Sequence, residues 1–135
     1  MAAMSQENVA VARRLLSAFN RGDRAAWLAL LDEEYELVPV AEWPDPPAIR
    51  GPEDAWRFYA DVAHTLSLGH AQIEFVDAGG DKVLGHQRHE AHGRTSGANV
   101  EIQLWIVMTC REGKVLRDEW YTDRAEALEA AGLRE

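Results

Sequence analysis

Cysteine is nearly absent: Cys110 is the single one in 135 residues. An internal disulfide is therefore excluded, and nothing in the composition points to an oxidising compartment. Cys110 stands in an apolar run with no neighbouring histidine in sequence, which suits a packed core thiol rather than a nucleophile. No apolar run approaches the roughly 20 residues of a membrane span. Met1-Ala2-Ala3-Met4 lacks the charged start and apolar stretch of a signal peptide, so the chain is expected in the cytoplasm. Positive charge is in deficit, with a formal net charge of −9. Phosphate backbones and anionic lipid surfaces need a cationic face, so neither nucleic acid nor membrane is expected as a partner. The acidic residues are scattered and read as a solvated surface. A glycine-rich phosphate loop is missing, because Gly79-Gly80 lies between two strand-like runs instead of before a helix. Ser96-Gly97 lacks the flanks of a nucleophile elbow. His86, His89 and His92 recur every third residue, which suits a helix, but they stand in a strand-like run. There His89 faces away from the other two, so no metal site is expected.

What is present is enough for one domain over residues 1–135. With 47% hydrophobic residues the chain can bury a core without staples. Ser5 suits a helix cap, Val9, Ala12, Leu16 and Phe19 recur at helical spacing, and Asn20-Arg21-Gly22 ends the run. Asp23 caps a second short helix with Trp27, Leu30 and Leu31 on its buried side. A short strand over 35–38 leads into a proline-rich flap, 39–51, that carries Trp43. Pro52 opens a third helix with Trp56, Tyr59, Ala63 and Leu66 on its inner stripe, stopped by Gly69. From His70 the pattern becomes strands: 70–77, 82–93, 99–111 and 114–121. They are joined by turns at Gly79-Gly80-Asp81, Thr95-Ser96-Gly97 and Glu112-Gly113. Asp123 and Glu126 have capping-box spacing before a terminal helix closed by Gly132. Helices first, then a meander of long strands, is an α+β layout with helices gathered on one face of an antiparallel sheet.

This layout, with Phe19-Asn20-Arg21-Gly22-Asp23, Ile49-Arg50-Gly51-Pro52, Gly93-Arg94-Thr95-Ser96-Gly97, and the stretches Gly113-Lys114-Val115 and Tyr121-Thr122-Asp123, resembles the SnoaL-like branch of the nuclear transport factor 2-like superfamily. The terminal Ala127-Leu128-Glu129-Ala130-Ala131-Gly132-Leu133 is similar to it as well. The resemblance implies a cone-shaped α+β barrel around one deep pocket, and homodimers through the outer sheet face. The family holds polyketide cyclases, ketosteroid isomerases, dehydratases and limonene-type epoxide hydrolases, besides modules without catalysis. Fold does not choose among them.

Strand alternation sorts the candidate site residues. In 99–111, Val100, Ile102, Leu104, Ile106, Met108 and Cys110 share an apolar, inward face. Glu101, Gln103, Trp105, Val107 and Thr109 share the outer one, where Trp105 is a candidate dimer anchor. In 114–121, Leu116, Asp118 and Trp120 share the inward face, and Arg117, Glu119 and Tyr121 the outer one. An inward carboxylate is costly unless paired or neutral, which makes Asp118 the most informative residue. It is either a catalytic carboxylate or half of a structural ion pair with Arg88. In 82–93, Leu84, His86, Arg88, Glu90 and His92 share a face, which is expected to line the cone unless the strand bends or bulges. Phe19, Trp27, Tyr35, Trp43, Trp56, Tyr59, Phe75 and Trp120 would line a pocket for a flat or cyclic organic molecule, or simply fill the core.

The expected function is an acid–base enzyme that needs no cofactor and acts on a small hydrophobic or cyclic organic substrate. Asp118 would take a proton or activate water, Arg88 would orient it or bear negative charge, and His86 would serve as acid or partner. Cyclisation, isomerisation, dehydration and epoxide hydration all fit that chemistry. Arg88, Glu90 and Asp118 offer the residue types of the epoxide hydrolase branch. Glu90 stands where that branch has aspartate, and Trp120 where its last-strand aspartate belongs. The other expectation is a module that binds a small ligand or dimerises without catalysis.

Overall fold

The structure, a computed structural model, describes residues 2–40, 48–65, 72–92 and 99–133. Its elements run α1 (Ala2–Asn20), α2 (Arg24–Ala29), β1 (Leu31–Val38), β2 (Ile49–Arg50), α3 (Pro52–Thr65), β3 (Ile73–Gly79), β4 (Lys82–His92), β5 (Asn99–Arg111), β6 (Lys114–Tyr121) and α4 (Arg124–Ala130). Local chemistry sets most of the boundaries. Asp23 Oδ1 accepts from the Ala26 N–H at 3.1 Å and starts α2, while Asp123 Oδ1 accepts from the Ala125 N–H at 2.8 Å and starts α4. Glu112 and Gly113 both have positive φ, 52° and 78°, as the two-residue turn between β5 and β6 requires. Two boundaries differ from expectation. Helix α1 runs back to Ala2 through Ser5, and Leu31 opens β1 instead of ending α2. Gly69 and the turn at Thr95-Ser96-Gly97 lie outside the described residues.

The six strands form one sheet in the order β2-β1-β6-β5-β4-β3. Every pairing is antiparallel except β1 with β6, which is parallel and sets Leu37 beside Asp118. The sheet curves but does not close; β2 and β3 are its edges. It is thus an open α+β cone, not a closed barrel. Helices α1, α2 and α3 cover the inner face. The core there joins Val11, Ala12 and Leu15 of α1 to Trp27, Tyr35, Leu37, Ile106, Met108, Val115 and Trp120. Helix α4 folds onto the outer face and makes a second core of Leu84, Val107, Ala127 and Ala131.

Strand β6 contains an irregularity that alternation alone does not reveal. Thr109 pairs with Arg117 but Cys110 pairs with Val115, so Leu116 is an extra residue on that strand. Val115 is consequently turned into the core and fully buried. Leu116 instead lines an outer concavity with Arg117 and Glu119. Asp118 and Trp120, beyond the bulge, keep the inward orientation expected of them. No helix among the described residues is long and apolar enough to cross a membrane.

Candidate active site

Asp118 is 1% exposed, the one carboxylate in the core among the described residues. Its Oδ2 accepts a hydrogen bond from the Tyr35 hydroxyl at 2.6 Å and a longer one from the Tyr59 hydroxyl at 3.3 Å. Three elements supply these groups. Tyr35 lies on the buried face of β1, one alternate position before Leu37, and the parallel pairing brings that face alongside Asp118. Tyr59 reaches down from α3. It is partly exposed as a residue, but its hydroxyl is enclosed.

Burial pushes the Asp118 carboxyl from 3.8 up to about 6; the tyrosine hydrogen bonds hold it back, and the Glu119 charge adds to the rise. The two phenols are pushed well above 10, by burial first and then by the Asp118 charge, so both remain donors at neutral pH. Burial and the same charge push the Cys110 thiol up to about 12, which leaves it a core residue without nucleophilic character. Among the described residues, Asp118 Oδ1 has no hydrogen-bond partner, and neither has the indole Nε1 of Trp120 two residues along the same face. That indole N–H lies near enough to lower the Tyr59 hydroxyl's pKa without making a well-formed hydrogen bond to it.

An aromatic cluster surrounds the carboxylate. Trp27 packs edge-on against Tyr59 (5.5 Å between ring centroids), Trp56 (5.4 Å) and Tyr35 (6.5 Å). Trp120 contacts Tyr59 at 5.4 Å and Phe58 at 5.7 Å, and Phe19 closes the other side against Trp56 and Tyr59. Trp27, Tyr35, Trp56, Tyr59 and Trp120 thus pack together around the carboxylate. Phe75 packs against the core from β3 and sits over Gly85. Trp43 lies outside the described residues. Phe58 was not among the expected lining residues, because its position falls beside the 3.6-residue stripe of Trp56 and Tyr59. The tyrosine hydroxyls were likewise unassigned. Their signal was the demand that a buried phenol and a buried carboxylate each find a partner.

The face of β4 expected to line the cone points the other way. Residues directly opposite in antiparallel strands share a face. His86 pairs with Trp105 and Arg88 with Gln103, both on the outer side. His86 stacks flat on Trp105 (4.6 Å, 6°) and hydrogen-bonds Gln103. Arg88 is 65% exposed and pairs with Glu101 at 3.4 Å. Neither joins Asp118, and the ion pair considered for Arg88 and Asp118 does not form. The Glu90 side chain lies outside the described residues. Leu84 shares this outward face but is buried beneath α4. The inner positions fall instead to Val83 and Gly85, where the missing Cβ admits Ile73 and Phe75. With Arg88 across the sheet from Asp118, the arginine–carboxylate arrangement of the epoxide hydrolase branch is not assembled. No cluster of three or more metal-ligating side chains occurs among the described residues.

Comparison with solved structures places the fold. Bal32a, from a soil-derived mobile gene cassette, is 19% identical, with 93% of this chain and 96% of that one covered and a TM-score of 0.75. An NTF2-like protein from Burkholderia xenovorans LB400 is 24% identical over 93% and 96%, with a TM-score of 0.71. TerC, crystallised with polyporic acid, is 20% identical over 93% and 98%, also at 0.71. At these identities the likeness is one of fold. No curated protein matches the sequence. The model of the SnoaL-like domain matches residues 12–117, most of the chain, and the protein belongs to that family.

Proposed function

We propose that the protein is an acid–base enzyme acting on a small, flat or cyclic organic substrate, with Asp118 as the proton-transferring group. One observation carries the reading: a fully buried carboxylate inside an aromatic cluster has one oxygen held by two phenols and the other unengaged. An oxygen left without a partner in the core costs about 1–3 kcal/mol. Such a cost is expected where a substrate completes the arrangement. Tyr35 and Tyr59 hold Oδ2 and fix the carboxylate plane. Oδ1 is then free to accept a proton from a substrate carbon or hydroxyl and return it. A carboxyl titrating at about 6 is part ionised near neutral pH, which suits one group to both steps. Cyclisation, isomerisation and dehydration need such a relay; epoxide hydration lacks the arginine expected for it. TerC, similar in fold, was crystallised with polyporic acid, which fits a small organic ligand here.

The test is a thermal-shift screen of flat organic compounds followed by turnover assays on the hits. Stabilisation by a bound compound reports occupancy without assuming a reaction. Asp118→Asn keeps the shape and removes the titrating oxygen, so turnover should fall at least about 100-fold, the usual contribution of a general acid–base group. Undiminished turnover in that variant overturns the role given to Asp118, and compounds that bind the unaltered protein without being turned over leave a binding module.

A further inference from the structure

Asp118 Oδ1 and Trp120 Nε1 are two buried polar atoms without partners among the described residues, two residues apart on one strand and on one face of it. Their demands are opposite. An ionised carboxylate oxygen only accepts, and an indole N–H only donates. The rest of Trp120 is engaged, with its ring against Tyr59 and Phe58. Asp118 Oδ2 is occupied by the two phenols. Tyr59, whose O–H donates to Oδ2, lies near enough for the indole to lower its pKa but makes no well-formed bond with the indole N–H. The unmet pair therefore faces the same side of the sheet as one acceptor and one donor set in a frame of aromatic rings.

Resting on the reading of Asp118 as the centre of a ligand site, we infer that Trp120 is a specificity-determining residue. Its N–H and Asp118 Oδ1 together select a flat cyclic ligand with an N–H or O–H donor beside a carbonyl acceptor. The ligand's donor meets Oδ1 and its carbonyl takes the indole N–H. Neutral lactams and hydroxy-enones have this edge, and a purely hydrocarbon ring does not. Unsatisfied buried polar groups are what make a site reject analogues that lack the matching group. A ligand with only one of the two groups leaves the other protein atom unpaired, as it is in the free protein.

The probes are 2-quinolone, which has the N–H and C=O edge, N-methyl-2-quinolone, which has lost the donor, and naphthalene, which has neither. Titration calorimetry on the unaltered protein should rank 2-quinolone at least about ten-fold above each of the others, the usual loss for a hydrogen bond to a charged group. Trp120→Phe keeps an aromatic ring but no donor. It should cut the preference for 2-quinolone over naphthalene at least about three-fold, the loss of one neutral hydrogen bond, while naphthalene binding persists, which also shows that the variant is folded. Equal binding of all three compounds by the unaltered protein overturns the inference but leaves Asp118 as a proton-transfer group. So does a Trp120→Phe variant that retains the full preference. If none of the three binds, both this inference and the reading of the cluster as a ligand site fall. The wild-type ranking of the compounds needs no variant, so a misfolded Trp120→Phe protein does not shield the inference from refutation.

Discussion

Replacing Asp118 with asparagine tests the electrostatics of the site apart from any substrate. In the unfolded chain the carboxyl titrates near 3.8, and in the folded protein burial lifts it to about 6. The folded state thus holds its proton more tightly than the unfolded state. The stabilisation from that proton is fully present below pH 3.8 and is lost as pH rises through about 6. A rise from 3.8 to about 6 corresponds to about 3 kcal/mol. No discount for solvent screening applies, because the side chain is 1% exposed. Asparagine has nearly the same shape and no titration, so it removes this dependence and leaves the other carboxylates in place. Urea unfolding of both proteins at intervals from about pH 4 to pH 8 isolates the effect. The stability of the wild type relative to Asp118→Asn should fall by about 2 kcal/mol across that range, since part of the effect is already lost at pH 4, and most of the fall should lie between pH 4 and 6. A difference that stays flat would show a carboxyl with an unshifted pKa, and a wild type that gains on the variant as pH rises would show a carboxylate paired with a cation. Either result would refute the argument from burial.

Other outcomes follow from individual contacts. Tyr35→Phe removes the 2.6 Å hydrogen bond that holds the Asp118 carboxyl down. The acid limb of any pH–rate profile should then move upward by roughly one to two units, the equivalent of a charge-assisted hydrogen bond. Arg88→Ala, at a 65% exposed side chain in a surface pair, should change the unfolding free energy by less than about 0.5 kcal/mol and leave turnover intact; a large loss of activity would return Arg88 to the site. Gly85→Ala should lower stability by about 1–3 kcal/mol in thermal unfolding, because the new Cβ would stand 3.1 Å from both Ile73 and Phe75. Glu112→Asn should raise it by about 0.5–1 kcal/mol, since Glu112 sits at φ 52° where asparagine is better tolerated.

Much of the molecule was legible from residues close together in the chain. Caps at Asp23 and Asp123, the turn at Glu112-Gly113 and the extents of β5 and β6 depend on neighbours a few positions apart. The sequence carries those interactions explicitly. The apolar stripe of Ile106, Met108 and Cys110 likewise identified the inner face of β5. That stripe and alternation in β6 also turned Asp118 and Trp120 inward, although the bulge at Leu116 changed the strand before them. The family resemblance came from the same kind of local signal, and the match over residues 12–117 agrees with it.

Tertiary structure decided the rest, because it rests on pairings between distant segments. The face of β4 depended on its register with β5, and the pairing of His86 with Trp105 put His86 and Arg88 outside. Alternation gives two faces but does not label them, and Leu84 misled because α4 supplies a second core on the outer side. The partners of Asp118 were equally hidden. Tyr35 lies 83 residues away and reaches the carboxylate only through the parallel β1–β6 pairing, while Tyr59 comes from a helix above the sheet. Sequence alone thus determined that a charge would be buried among aromatic rings. The long-range strand order determined that phenols, and no arginine or histidine among the described residues, would hold it.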